Sequence, residues 1–268
     1  MDNRPIGVFD SGLGGLTAVK VLQNIMPHEN IIYFGDTGRV PYGNRSREII
    51  LKYAKQDMDF LKSNDVKMII VACGTVSSVA GDLIESLDLP FTSVLKPTAR
   101  AAAAATKNGR VGVIGTTATI HSGSYRRELA AISPKIVVFE RDCPLFVPLV
   151  ENGFVDANDE VTRLVAERYL ISLREQQVDT LIMGCTHYPI IRKIISRVMG
   201  DGVTLIDSGR EAALYAAQIL EQKQLLCDNK QESSSTFFVS DTVDGFSQVA
   251  GIFLGHDVKQ DVRHVAIG

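Results

Sequence analysis

The sequence predicts an α/β fold: two similar domains with mostly parallel sheets flanked by helices, and an active site in the cleft between them. Predicted strands and helices alternate along the chain, which is typical of a parallel sheet covered on both faces. A length of 268 residues is compatible with one or two such domains. A faint internal repeat favours two, because residues 6–11 resemble residues 111–116. The alternative is that apolar strands followed by small residues simply look alike.

Short apolar runs that end in small or polar residues predict the strands. They cover residues 6–9, 30–34, 67–72, 91–95, 110–114, 135–139, 180–183, 203–206 and 236–239. Longer segments between these runs predict the helices. They cover residues 13–25, 46–61, 76–87, 98–105, 122–131, 159–176, 190–198, 210–224 and 244–254. Pro97 directly precedes the fourth helix, as a proline near a helix start allows. Residues 227–235 are predicted to form a polar surface loop.

The composition excludes several classes of partner. A formal net charge of -3 gives no electrostatic footprint for nucleic acid. No apolar run approaches the roughly 20 residues that a membrane span needs, and the first residues lack the apolar stretch of a signal peptide. We therefore expect a cytoplasmic protein without nucleic-acid or membrane partners. Its four cysteines should be thiols rather than disulfides in that compartment.

Two cysteines stand at the ends of predicted strands. Cys73 and Cys185 each end an apolar run and precede a predicted helix, whose N-terminus stabilises a thiolate. Two such thiols, one in each half of the chain, suit a reaction that needs an acid and a base on opposite faces of one small molecule. The competing interpretation is an inert, buried small residue. Cys143 and Cys227 lack this setting and are expected to be incidental.

His187 follows Cys185 by two residues and is either its proton partner or a structural histidine. A zinc site would need three or four ligands at suitable spacing, and neither Cys-x-x-Cys nor His-Glu-x-x-His is present. We therefore expect no metal. A cysteine–histidine protease would leave the second strand-end cysteine unexplained.

Polar loops follow several predicted strands. In residues 10–15, small residues allow backbone N–H groups to approach an anion, either a carboxylate or a phosphate. Asp10 in this loop is an acid/base group, a partner for an ammonium, or a helix N-cap. Hydroxyls and amides that could bind carboxylates follow other strands, although turns are rich in such residues anyway. These residues are Tyr42, Gly43, Thr116, Thr117 and Thr119.

Taken together, the motifs resemble the glutamate racemases of the cofactor-independent Asp/Glu racemase family. The matching stretches run in order from about residue 5 to residue 210, and they are residues 9–16, 33–37, 40–43, 71–75, 111–116 and 184–189. The resemblance implies one domain of residues 1–97 plus 208–268 and a second of residues 98–207, with the substrate between them. It also implies interconversion of L- and D-glutamate without a cofactor, which supplies D-glutamate for peptidoglycan.

The resemblance also implies roles for individual residues. Cys73 and Cys185 correspond to the two acid/base thiols, Asp10 and His187 to their assisting groups, and Glu151 to a further carboxylate that would otherwise be a solvated helix-end charge. The implied substrate-contacting residues are Asp10, Ser11, Tyr42, Gly43, Thr75, Thr186 and His187.

Gly74 is a departure at a further substrate-binding position, because the family usually has asparagine after the first catalytic cysteine. The missing hydrogen bond should cost about 0.5–1.5 kcal/mol of binding unless another group replaces it. A reshaped pocket leaves aspartate or another amino acid open as the substrate. A second alternative is a regulatory protein of racemase ancestry that binds DNA gyrase. Family members are commonly dimers, so we expect a homodimer.

Overall fold

The structure, a computed structural model, describes residues 2–228 and 233–267. It contains two β-sheets, each built of parallel strands, with helices packed around them. The predicted fold class is confirmed. The predicted loop 227–235 lies partly outside the described residues. Within the described ranges, no helix has both the length and the apolar character needed to cross a bilayer.

The first sheet contains six parallel strands. They are β1 (Ile6–Asp10), β2 (Ile31–Gly35), β3 (Met68–Val71), β4 (Phe91–Ser93), β9 (Ser235–Val239) and β10 (Val262–His264). Their order across the sheet is β10-β9-β2-β1-β3-β4. All five residues of β1 and all four of β3 are buried, as expected for parallel strands covered on both faces.

The second sheet contains four parallel strands, β5 (Arg110–Gly115), β6 (Val137–Asp142), β7 (Thr180–Met183) and β8 (Thr204–Asp207). Their order is β6-β5-β7-β8. The four strands that come first along the chain, β1 to β4, have the equivalent order in the first sheet, β2-β1-β3-β4. The repeated order supports the duplication that the internal repeat suggested, and it makes β3 and β7 equivalent strands.

Twelve α-helices are present in the described residues. They are α1 (Leu16–Ile25), α2 (Arg47–Ser63), α3 (Gly74–Val79), α4 (Gly81–Glu85), α5 (Leu95–Ala105), α6 (Thr117–Ser122), α7 (Ser124–Ile132), α8 (Phe146–Glu151), α9 (Glu160–Glu175), α10 (Arg192–Met199), α11 (Ser208–Gln222) and α12 (Val243–Leu254). Short 3₁₀ segments cover Tyr188–Ile191 and Lys259–Asp261.

The chain passes between the two sheets through α5 and α11, which pack against each other. The first sheet takes its strands from residues 6–93 and 235–264, and the second from residues 110–207. The boundaries predicted at residues 97/98 and 207/208 therefore fall inside α5 and at the start of α11. The domain boundaries themselves remain a prediction.

Several predicted elements differ from the observed ones. The helix predicted over residues 76–87 is two helices, separated at Ala80, whose backbone is not helical (φ -110, ψ 29). The helix predicted from residue 122 is preceded by α6, and Gly123 separates the two helices with a left-handed backbone (φ 62). Strand β6 continues to Asp142, three residues beyond its predicted end, while α8 and β10 were not predicted.

Candidate active site

A cavity of about 400 Å³ lies where the carboxyl ends of the strands of the two sheets face each other. Ligands of open α/β sheets bind at this edge. Nearly all the predicted site residues line the cavity, and they are Asp10, Ser11, Tyr42, Gly43, Cys73, Gly74, Thr75, Thr116, Thr117, Glu151, Cys185, Thr186 and His187. Thr119 is not among the lining residues.

The two predicted thiols enter this cavity from equivalent strands. Cys73 follows the end of β3 by two residues, and Cys185 follows the end of β7 by two residues. Both side chains are buried, with exposed fractions of 3% and 6%. Because the two strands belong to different sheets, one thiol comes from each half of the molecule.

The surroundings of Cys73 favour the neutral thiol. Its backbone forms the N-cap of α3, and its Sγ donates a hydrogen bond to Ser11 Oγ at 3.4 Å. Burial raises the pKa of the Cys73 thiol to about 12, and the negative charge of Asp10 acts in the same direction. A proton on this sulfur is therefore retained at neutral pH.

Cys185 begins a chain of contacts that ends on a carboxylate. Its Sγ lies 3.8 Å from His187 Nδ1, and His187 Nε2 lies 2.9 Å from Glu151 Oε1. Burial by itself lowers the pKa of His187, but the hydrogen bonds to Cys185 and Glu151 together outweigh it and raise the pKa to about 10. The ring is therefore protonated at neutral pH and can donate from both nitrogens.

Asp10 lies at the end of β1 and is almost fully buried. One carboxylate oxygen accepts a hydrogen bond from the backbone N–H of Gly12 at 3.0 Å. Burial raises the pKa of Asp10 above its ordinary value, although the nearby His187 opposes the change. The carboxyl group adds negative charge on the Cys73 side of the cavity.

Hydroxyl groups from both halves meet at the cavity. Thr75 Oγ1 and Thr116 Oγ1 are 3.0 Å apart, and Thr116 Oγ1 also lies 3.0 Å from Thr119 Oγ1. Thr119 therefore contacts the hydroxyl of Thr116 without lining the cavity itself. The hydroxyl of Thr117 donates to Asp142 Oδ2 at 3.1 Å. Among the described lining residues there is no lysine or arginine, so carboxylates bound here would be held by hydroxyls, amides and His187.

Tyr42 lines the cavity, but its hydroxyl is already engaged elsewhere. It donates to Asp57 Oδ2 at 3.0 Å and also contacts Asp36 Oδ2. Arg39 binds the same two carboxylates, at 2.6 Å to Asp36 and 2.8 Å to Asp57. This network fixes the loop that carries Tyr42 and Gly43 against α2.

Some lining residues were not predicted, and Cys143 is one of them. The expectation that Cys143 lacks a strand-end setting was wrong, because β6 ends at Asp142, directly before it. Extending the predicted strand over Glu140 and Arg141 would have identified this position. Val40, Asn44, Val147 and Asn152 also line the cavity, and their loops offered no distinctive sequence pattern.

No group of three or more histidine, cysteine, aspartate or glutamate side chains suited to a metal ion occurs in residues 2–228 and 233–267. The cavity instead brings together the predicted thiols Cys73 and Cys185, the further thiol of Cys143, one imidazole and two carboxyl groups. Such a set can remove a proton at one face of a small molecule and return one at the other.

Comparison with known proteins identifies related sequences and structures. A family model described as "Asp/Glu/Hydantoin racemase" matches residues 18–216. The glutamate racemases of Geobacter metallireducens and Chlorobaculum tepidum are each 46% identical over 265 residues, which cover 98% of this chain and 97% and 96% of theirs. The crystal structure of the Francisella tularensis glutamate racemase with D-glutamate has a TM-score of 0.92 at 40% identity, covering 100% of this chain and 99% of that one. A Bacillus anthracis glutamate racemase has a TM-score of 0.94 at 36% identity, with the same coverage.

Proposed function

Because the chain belongs to the Asp/Glu/hydantoin racemase family, we propose that it is a glutamate racemase that interconverts L- and D-glutamate through two cysteines, without a cofactor. The observation that carries the proposal is the pair of thiols from equivalent strands of the two sheets on one cavity of about 400 Å³. The full-length relatives named glutamate racemase support the choice of substrate.

The proposed reaction moves one proton off the α-carbon and another onto its opposite face. In one direction Cys185, as a thiolate beside the protonated His187, removes the α-proton and becomes a thiol. The electron pair left on the α-carbon is delocalised into the α-carboxylate. Cys73 then donates its proton to the other face and becomes the thiolate. The two sulfurs exchange roles for the opposite enantiomer.

The roles of the other residues follow from their contacts. Glu151 accepts from His187 and keeps the ring charged and oriented. Burial and the charge of Asp10 keep Cys73 protonated as the acid for this direction, and the hydrogen bond to Ser11 orients its sulfur. The α-hydrogen is a very weak acid, so donors arranged around the α-carboxylate must stabilise the carbanion-like state. Thr75 and Thr116 lie at the cavity wall and have the chemistry for this role.

Positioning supplies a further large part of the rate, because both sulfurs must reach one carbon at the same time. The product, D-glutamate, fits the expected role in peptidoglycan synthesis. A cytoplasmic location and a homodimer remain predictions, as does the absence of a required metal or organic cofactor.

The first test is racemisation of both enantiomers of glutamate, followed by circular dichroism without added metal or pyridoxal phosphate. We expect turnover in both directions, and a loss of at least about 100-fold in Cys73→Ser and in Cys185→Ser, since each general acid or base contributes about 10²–10⁴-fold. The control is Cys227→Ser, which changes a cysteine outside the cavity lining. Normal racemisation by both active-site variants would refute the two-thiol mechanism.

Aspartate is the competing substrate and is assayed in the same way. Equal or faster turnover of aspartate would reject the glutamate assignment while leaving the thiol mechanism intact. The gyrase-binding alternative is tested by a supercoiling assay with and without the protein.

A further inference from the structure

The two loops that carry the thiols touch each other through their backbones. Gly74 is the first residue of α3 and directly follows Cys73. Gly184 directly precedes Cys185. A Cβ atom added to Gly74 would lie 2.2 Å from the carbonyl oxygen of Gly184 and 3.7 Å from the Cα of Cys185. Non-bonded carbon–oxygen contacts are normally about 3.3–3.6 Å, so a side chain at residue 74 needs about 1 Å more space.

Each of the two loops is held by a backbone hydrogen bond close to the contact. The backbone N–H of Gly184 donates to Ile114 O on β5 at 2.7 Å, and a Cβ on Gly184 would lie 2.9 Å from that same oxygen. On the other side, Ala72 N–H donates to Phe9 O at 2.9 Å, which holds the segment before Cys73 on β1. Each loop is thus hydrogen-bonded to its own sheet.

Separating the two halves makes the space without breaking either of these hydrogen bonds. Contacts across the cleft already join them close to this point, because Thr75 Oγ1 lies 3.0 Å from Thr116 Oγ1 and Ala118 N–H donates to Gly43 O at 3.0 Å. Gly43 is a second close approach, since a Cβ there would lie 2.9 Å from Thr116 Cβ. Separating the halves moves Cys73 away from Cys185, since each belongs to a different half.

We propose that Gly74 is a positioning residue for racemisation: its missing side chain lets the two halves approach closely enough for both sulfurs to reach one α-carbon. The inference rests on the proposed function. It also gives a structural meaning to the departure at residue 74, because an asparagine side chain would occupy the space that Gly184 fills here. The substrate loses a possible hydrogen bond, while the backbone after Cys73 packs directly against the backbone before Cys185.

The inference predicts how the reaction changes when Cys73 and Cys185 are moved apart. A displacement of about 1 Å costs a reaction of this kind about 10²-fold. In a widened cleft one sulfur still removes the α-proton, but the other is too far away to return one. The first sulfur then returns a proton itself, after exchange with solvent, and the substrate recovers its original configuration.

Gly74→Ala and Gly74→Asn test the inference, with Gly81→Ala as the matched control. Gly81 is also the first residue of a helix, but a Cβ there meets nothing within 4 Å. We expect both Gly74 variants to lose about 10- to 100-fold in kcat with a smaller change in KM. In D₂O, the ratio of deuterium in recovered substrate to deuterium in product should rise, while Gly81→Ala keeps the ratio of the unaltered protein.

Gly43→Ala is measured in parallel, because it widens the same cleft more mildly and supports the test if the Gly74 variants do not fold. A smaller rise in the deuterium ratio is expected for it. Unchanged kcat and an unchanged ratio in folded Gly74→Ala would overturn the inference, as would an unchanged ratio in Gly43→Ala if the Gly74 variants do not fold. A lower unfolding temperature alone would indicate a structural role only. Failure of the proposed function is distinguishable, because it requires that Cys73→Ser and Cys185→Ser still racemise.

Discussion

Cys73 and Cys185 occupy equivalent places in the two halves, but their electrostatic surroundings are opposite. Cys73 lies near the carboxyl group of Asp10 and donates to the hydroxyl of Ser11. Cys185 lies beside an imidazole whose other nitrogen contacts a carboxylate. In the resting protein the first sulfur is therefore suited to donating a proton and the second to accepting one.

Glu151→Gln is the most informative single change on the Cys185 side. The carboxylate that helps to hold the pKa of His187 at about 10 is removed, so the pKa falls, although the contact with Cys185 still opposes the effect of burial. The ring then loses its proton at a lower pH, and the alkaline limb of the activity profile moves to lower pH. We expect a loss of about 10- to 100-fold in kcat near pH 7, and a larger loss at about pH 9.

The pKa of His187 in this variant is followed by NMR titration of the ring carbons, and kcat is measured over the same pH range. Glu175→Gln is the control, since Glu175 is exposed at the end of α9. A His187 pKa that stays near its original value in Glu151→Gln would contradict the assigned role.

At the residue scale, the sequence predicted what depends on local position and missed what depends on distant partners. The strand-end setting of Cys73 and Cys185 is visible in the apolar runs that precede them. The hydrogen bond of the Tyr42 hydroxyl is not visible in the sequence, because its partner Asp57 lies on a helix that begins after the loop. Cys143 was missed because β6 is only partly buried and its pattern breaks before the true end of the strand.

At the element scale, the loop between β2 and α2 depends on a buried network that links it to the helix. Asp36 follows β2, Asp57 lies on α2, and Arg39 and Tyr42 lie on the loop between them. Ser240, which follows β9, also donates to Asp36 at 2.7 Å. One guanidinium group thus serves two buried carboxyl groups.

The network makes stability depend on pH. Burial raises the pKa of Asp57 to about 8, the charge of Asp36 adds to the effect, and Arg39 only partly opposes it. The folded protein therefore retains a proton that the unfolded chain releases near the ordinary pKa of 3.8. The contribution of Asp57 to the free energy of unfolding falls as pH rises from about 4 to about 8. Asp57→Asn cannot titrate, so we expect a flatter dependence over this range.

Urea unfolding at about pH 5 and about pH 8 measures this slope. Asp82→Asn is the matched control, because the Asp82 side chain is 99% exposed. If Asp57→Asn loses as much stability between the two pH values as the unaltered protein, the role assigned to Asp57 is wrong.

Element boundaries were less predictable than element types. The helix predicted over residues 76–87 has a suitable apolar pattern, but two short helices form because the backbone at Ala80 leaves the helical region. Gly123 separates α6 from α7 in the same way, with a positive φ that glycine adopts without strain. Apolar periodicity does not report such breaks, since it continues across them.

At the scale of the whole molecule, the repeated strand order explains why two thiols meet. Each half of the chain places its third strand beside its first, and each third strand ends two residues before a thiol. The internal repeat in the sequence suggested the duplication. The ends of β3 and β7 face each other across one cavity because α5 packs against α11 and the backbones approach closely at glycines. No local sequence pattern reveals these contacts.

Deuterium labelling in D₂O is the most direct test of the two thiols acting on opposite faces of one carbon. At early times with L-glutamate, we expect the D-glutamate formed to carry solvent deuterium at the α-carbon, because the acid that delivers it exchanges with solvent. The remaining L-glutamate should keep its original hydrogen, because the sulfur on its side removes the proton without returning one. Deuterium appearing equally in the recovered L-glutamate and in the product would indicate a single base, and would contradict the two-thiol account.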